Sequence, residues 1–109
     1  MNHWTSMIAA GALALCAFSA HAAGNPEAGK QKSQVCQSCH GADGNSTNAQ
    51  FPRLAGQYPD YLVQALSEYK SGARKNAIMA GFAANLSERD MQDIASYFAA
   101  QKDGVVTKR

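Results

Sequence analysis

Apolar residues recur along this chain at helical rather than strand spacing. From Pro59 to Ser71 the stripe is Leu62, Ala65, Leu66 and Tyr69, one face of a helix that Gly72 stops. From Ser87 a second stripe, Met91, Ile94, Ala95 and Phe98, repeats the pattern and ends before Gly104. Ser87 stands where a cap is needed, with Asp90 three residues on as a shorter version of the capping-box glutamate. A further helix is predicted from Pro26 to Val35, with Asn25 as its cap. Pro26 takes the first helical position, where a missing N–H costs nothing. β-Branched residues are scarce and never alternate over four or more positions, so no strand is expected. Two stretches follow no period: residues 36–58, rich in Gly, Asn and Ser, and Gly72 to Leu86. Long structureless loops count against such an assignment in a small domain unless they wrap something.

The first residues follow a different pattern. Met7 to Ala20 is apolar apart from Gly and Ser, and Ala20-His21-Ala22 places small residues before Ala23. This is the form of a secretory signal peptide over residues 1–22, and the run is too short to span a bilayer, which needs about 20 apolar residues. Met1 to Ser6 holds no Lys or Arg, and Leu13-Ala14-Leu15-Cys16 puts leucine where a lipid-attachment signal wants a small residue. The expected mature domain is residues 23–109, exported to the periplasm, with two cysteines and one histidine left in it.

Composition changes meaning once that segment is set aside. Of the 50 apolar residues, 15 fall in residues 1–22, and the remaining 87 positions hold only 13 Leu, Ile, Val and Phe. That share, about 15%, lies under the roughly 20% below which chains resemble disordered ones, although a net charge of +2 is too low for disorder. A domain of this size usually needs a staple, a metal or a cofactor. Two domains, a large enzyme core and a nucleic-acid binder relying on bulk positive charge are excluded. Something other than side chains must fill the middle.

Cys36-Gln37-Ser38-Cys39-His40 supplies a candidate, because it has the form of a c-type haem attachment signature. Two thiols at this spacing at a helix end can each add to a haem vinyl group, and the adjacent histidine can then reach the iron. Other uses compete. A zinc site needs further strong ligands that the mature chain does not offer. A redox-active dithiol needs a strand–helix–strand context. A Cys36–Cys39 disulfide would close so small a loop that it stabilises little. For a haem, the mature chain holds no second histidine, so the soft thioether of Met79 or Met91 is the natural second axial ligand. Met91 lies on the apolar stripe of the last helix and is expected in the core. Met79 lies in the loop Gly72–Gly81, where free backbone can approach a haem face, and is the expected ligand.

At this point the chain resembles class I c-type cytochromes, in particular one half of the dihaem cytochrome c4 and small monohaem proteins of the c5/c553 kind. The matching segments are Cys36 to Gly44, Phe51-Pro52-Arg53-Leu54-Ala55-Gly56-Gln57, Ile78-Met79-Ala80-Gly81, Asn85-Leu86-Ser87 and Ile94-Ala95-Ser96-Tyr97-Phe98. The resemblance covers Asn25 to Gln101 and implies an all-α small cytochrome c fold, three to five helices wrapped around one covalently bound haem c. It implies that the first and last helices cross near Gly29 and Tyr97. It also implies that the Pro52 carbonyl accepts the Nδ1–H of His40 and that Leu54 packs against the haem on the histidine side. Cytochrome c4 carries two haem domains, whereas this chain has one Cys-x-x-Cys-His.

The implied function is periplasmic one-electron transfer at a haem held by Cys36 and Cys39 and ligated by His40 and Met79. It involves no enzymatic chemistry, small-molecule substrate or nucleic acid. Donor and acceptor would be redox proteins, a membrane-bound oxidase or dehydrogenase among them, met by a monomer or weak dimer. The alternative is a haem c subunit of a larger periplasmic oxidoreductase complex. Ala80 to Ala84 is a candidate contact rim, Lys70, Arg74 and Lys75 read as a solvated helix end, and Lys108-Arg109 form a basic tail. Arg53, Gln57 and Tyr58 are candidates for hydrogen bonds to a haem propionate.

Overall fold

The computed structural model describes Gly11, Ala12 and residues 24–105; the rest of the expected signal peptide and the basic tail lie outside the described residues. Five helices follow in order: α1 (Pro26–Lys32), α2 (Gln34–His40), α3 (Pro59–Ser71), α4 (Ala77–Ala83) and α5 (Glu88–Ala99). No strand occurs among the described residues.

The helix ends obey the local chemistry. The Asn25 side chain accepts from the amides of Glu27 at 2.9 Å and Ala28 at 3.2 Å, and Pro26 opens α1. Gly72 closes α3 with φ at 83°, a left-handed conformation that glycine adopts without strain. Ser87 and Asp90 form a reciprocal capping box at α5, both bonds at 3.0 Å.

Two elements depart from the sequence-based expectation. The helix expected over Pro26–Val35 bends at Ser33, which leaves helical geometry at φ −84° and ψ 1°, and then continues as α2 to His40. The Ser33 hydroxyl donates back to the Lys30 carbonyl at 3.0 Å, competing with the helix ladder. Its oxygen accepts from Gln37 Nε2 at 3.2 Å, so the bend is buried and satisfied. The stretch Gly72–Leu86 is not wholly a loop: residues 77–83 form α4, and Met79 lies inside it.

α5 organises the packing. Its buried face, Met91, Ile94, Ala95, Tyr97 and Phe98, meets α3 through Leu62, while α1 crosses it on another side. The crossing is close: a Cβ on Gly29 would stand 1.9 Å from the Asp93 carbonyl oxygen and 3.0 Å from Tyr97 Cβ. Only a residue without a side chain fits there, as the resemblance implied. Asp93 is 2% exposed, and its oxygens accept from the Asn25 amide at 2.8 Å and the Lys32 ammonium at 2.7 Å. Lys32 also meets Asp90 at 2.9 Å, so one cation ties α1 to two carboxylates of α5. These bonds hold both carboxylates below their ordinary range, Asp90 at about 2.

The loop 41–58 is held in place by α5 and by itself. Tyr97 donates to the Ala42 carbonyl at 2.7 Å, and the Gly56 amide donates to the Phe98 carbonyl at 3.0 Å. The Gly44 carbonyl accepts from the amides of Leu54 at 2.8 Å and Ala55 at 3.2 Å. Gly44 itself has φ at 84°, and a Cβ there would lie 2.7 Å from the Phe98 ring. These contacts return Phe51–Leu54 to the end of α2.

Candidate functional site

A cavity of about 360 Å³ lies between α2, α3, α4 and the loop 41–58, with Ile94, Ala95 and Phe98 of α5 along it. Its wall is mainly apolar: α3 contributes Leu62, Ala65 and Leu66, and the loop contributes Phe51, Pro52 and Leu54. The backbones of α2 and α4 stay apart, and both helices face this space. Nine of the thirteen Leu, Ile, Val and Phe residues that follow position 22 line this space.

α2 carries the attachment chemistry. Cys36 and Cys39 are free thiols, half-buried on the cavity wall, with no disulfide between them. Burial raises the Cys36 thiol above its ordinary range, with the neighbouring Cys39 adding to the shift, so at neutral pH it is a neutral thiol. His40 follows at the C-terminal end of α2, 6% exposed. Its Nδ1 lies 2.8 Å from the Pro52 carbonyl oxygen. A carbonyl only accepts, so Nδ1 carries the proton, and in the neutral ring the lone pair is then on Nε2. That is the arrangement in which a second partner orients a ligating histidine and raises its basicity. Phe51 meets the imidazole edge-on at 6.3 Å between centroids and limits its rotation.

Met79 reaches the same cavity from α4. The Asn76 side chain accepts from the Met79 amide at 3.0 Å and fixes the start of that helix. The methionine is thus presented by a capped helical turn rather than by free loop backbone. Met91 behaves as expected of a core residue: it is 3% exposed, its sulfur accepts from the Ser67 hydroxyl at 3.4 Å, and it does not line the cavity. Among the described residues no cluster of three or more His, Cys, Asp or Glu could hold a metal ion alone. One imidazole, one thioether and two thiols around an apolar space fit a haem, which brings its own four nitrogen donors.

The remaining candidates divide. Arg53 and Gln57 line the cavity, with Arg53 Nε donating to the Ser46 carbonyl at 3.4 Å; Tyr58 is not among the lining residues. Lys70 and Lys75 are exposed, but Arg74 is not a solvated helix end. Its guanidinium turns back over Tyr61 and Tyr69, 5.8 and 5.4 Å from their centroids, and joins the cavity wall. The sequence offered one signal for this wall, Tyr61, Ala65 and Tyr69 at successive four-residue steps. Ile78 and Phe82, one turn apart on α4, are 63% and 46% exposed at the cavity, and Val35 of α2 is 58% exposed.

Comparison with known proteins agrees with this geometry. The cytochrome c family model matches residues 26–102. Cytochrome c4 of Pseudomonas aeruginosa is 51% identical over 86 residues, covering 79% of this chain and 43% of that protein. Cytochrome c-554(548) of Halomonas halodenitrificans is 39% identical over 83 residues, 73% of this chain and 100% of that protein. Among solved structures, reduced recombinant cytochrome c4 from Pseudomonas stutzeri superposes with a TM-score of 0.71 at 45% identity, covering 77% of this chain and 48% of that one. The chain thus spans less than half the length of these cytochrome c4 relatives and matches one domain of them. With five helices around a cavity that gathers Cys36, Cys39, His40 and Met79, the chain belongs to the cytochrome c family, whose domain carries covalently bound haem c.

Proposed function

We propose that this protein is a periplasmic one-electron carrier holding a single haem c, attached through Cys36 and Cys39 and ligated by His40 and Met79. The observation that carries the proposal is the His40–Pro52 bond of 2.8 Å in a cavity that Met79 reaches from a separate helix. Haem c supplies the Fe(III)/Fe(II) couple. The chain's own residues do the rest. Pro52 keeps the imidazole in the Nε2-available tautomer through both oxidation states. Asn76 holds the turn that carries Met79. Leu54, Leu62 and Leu66 keep water from the apolar wall, which with a thioether ligand favours the less charged ferrous state.

With His40 and Met79 both serving as ligands, the haem iron would offer no place to a small substrate, which supports a carrier over an enzyme. Electron exchange takes place with redox protein partners at the rim of Val35, Ile78 and Phe82, an uncharged edge suited to transient contact. Residues 1–22 act as the cleaved export signal. The full-length match to a single-domain cytochrome supports an independent carrier over a subunit of a larger complex.

Replacing Met79 with Ala tests the ligand set. The ferric protein should lose its near-red methionine-to-iron absorption, its potential should fall, and the ferrous protein should bind carbon monoxide readily. An unaltered near-red band in M79A would contradict the assignment.

A further inference from the structure

Met79 sits on a weakly supported helix. α4 has seven residues, too few for a helix to be stable alone, and Ala83 is its only buried one. Among the described residues, α3 is the only helix whose backbone runs beside it. Residues 72–86 therefore form a strap across the cavity mouth, and the fastening of its ends decides where Met79 stands.

Both ends are tied to α3. At the first, Gly72 turns the chain and the Arg74 amide donates back to the Glu68 carbonyl at 3.1 Å. At the second, the Leu86 amide donates to the Ala83 carbonyl at 3.1 Å, and the Leu86 side chain packs against the core that contains Leu62 and Ile94. The Leu86 carbonyl stands just before the cap of α5 and receives no backbone amide among the described residues. Its donor is the Lys70 ammonium, which reaches it from the last turn of α3, 16 positions back in sequence. Among the described residues no carboxylate pairs with Lys70, so no ion pair competes for that ammonium. Lys70 is exposed, yet it is more than a solvated helix end: it closes the strap that carries Met79.

We propose that Lys70 is a positioning residue for the redox centre: by bonding the Leu86 carbonyl it holds the strap shut and so sets how firmly Met79 stays on the iron. The inference rests on the ligand reading above. Met79 can leave only if α4 lifts away from α3, and lifting breaks the Lys70–Leu86 bond. Removing the bond therefore favours the open strap by the net worth of one hydrogen bond, about two- to tenfold in the equilibrium. A soft thioether binds the harder ferric ion less firmly than the ferrous one, so the ferric protein is where the tie shows. Keeping Met79 in place there keeps the iron six-coordinate through the whole redox cycle.

The test is titration of the ferric holoprotein with imidazole at neutral pH, following loss of the near-red band as imidazole displaces Met79. K70M keeps the length of the side chain and removes the donor, and its half-saturating imidazole concentration should fall about two- to tenfold. K70R keeps a donor and should stay within about twofold of the parent. K75M removes the same charge from the exposed Lys75 within the strap and should titrate like the parent. The proposal is overturned if K70M binds imidazole as the parent does, including the case in which K70M only unfolds at lower urea. It is equally overturned if K75M matches K70M, which would make the effect one of charge alone. Should K70M accumulate no holoprotein, K70Q is read in the same titration by the same criteria. Failure of the ligand reading is distinguishable, because the parent would then lack covalent haem or the near-red band, or M79A would keep that band.

Discussion

Substituting Gly29 with alanine adds one methyl group where the structure has no room for it. The new Cβ would lie 1.9 Å from the Asp93 carbonyl oxygen and 2.5 Å from its carbon. A carbon–oxygen contact needs about 3.3 Å, so α1 and α5 must part by roughly 1.4 Å. The obstructing atoms are backbone and cannot rotate away. Parting the helices overpacks the crossing, at about 1–3 kcal/mol, and weakens the hydrogen bond of 2.8 Å from the Asn25 amide to the Asp93 carboxylate. A hydrogen bond to a charged group contributes about 1.5–3 kcal/mol, while alanine regains about 1 kcal/mol of helix propensity. The net loss is about 1.5–5 kcal/mol. For a domain of this size each kcal/mol moves Tm by about 4–8 °C, so a fall of at least about 6 °C is expected. Gly81 is the internal control, a glycine inside α4 with nothing within 4 Å of an added Cβ. G81A should gain about 0.5–1 kcal/mol. Thermal unfolding of the holoproteins followed by far-ultraviolet circular dichroism measures both. If G29A unfolds within about 1 kcal/mol of the parent, the close crossing of α1 and α5 is wrong.

Three further expectations follow from other parts of the molecule. Asp90 and Asp93 have folded pKa values below the unfolded carboxylate value of about 3.9, so their stabilisation is complete above that range and disappears as pH falls toward about 2; in acid titrations followed by circular dichroism, D93N should flatten this loss, and an unchanged acid transition would contradict the Lys32–Asp93 link. M91A should cost about 2–5 kcal/mol in urea unfolding while leaving the near-red band intact, the reverse of M79A, because Met91 packs in the core and Met79 faces the cavity. Replacing both Cys36 and Cys39 with alanine should leave any haem extractable by acidic acetone, and the haem-free chain should show no cooperative thermal transition, since its apolar side chains surround a space; a sharp transition without haem would show that the core closes by itself.

Legibility in the sequence tracked how local each determinant was. α3 has the bounds that the stripe and Gly72 implied, and α5 begins at the cap read from Ser87, because caps and periodicity act within a few residues. α4 was missed although Asn76 is a good N-cap, because seven residues with an internal glycine show no readable period. The bend at Ser33 depends on a serine hydroxyl choosing a carbonyl over solvent, which burial decides. At the site, the Cys-x-x-Cys-His segment and Met79 were legible from residue chemistry, and the Pro52 and Gly29 contacts came only through the family resemblance. Arg74 was misread, since a cation just beyond a helix end looks solvated until Tyr61 and Tyr69 are seen beneath it. Asp93 was overlooked for the matching reason: its partners Asn25 and Lys32 lie more than 60 positions away in sequence.

The central claim is that the cavity exists to hold one haem joined to Cys36 and Cys39. Its most direct test is the intact mass of the protein exported from a host that attaches haem to c-type cytochromes, followed by mass mapping of the peptide containing Gln34–His40. The expected result is a chain beginning at Ala23 and heavier by one haem, with that haem on the Cys36–Cys39 peptide. A chain of unmodified mass, or one with Cys36 and Cys39 joined as a disulfide, would contradict the account.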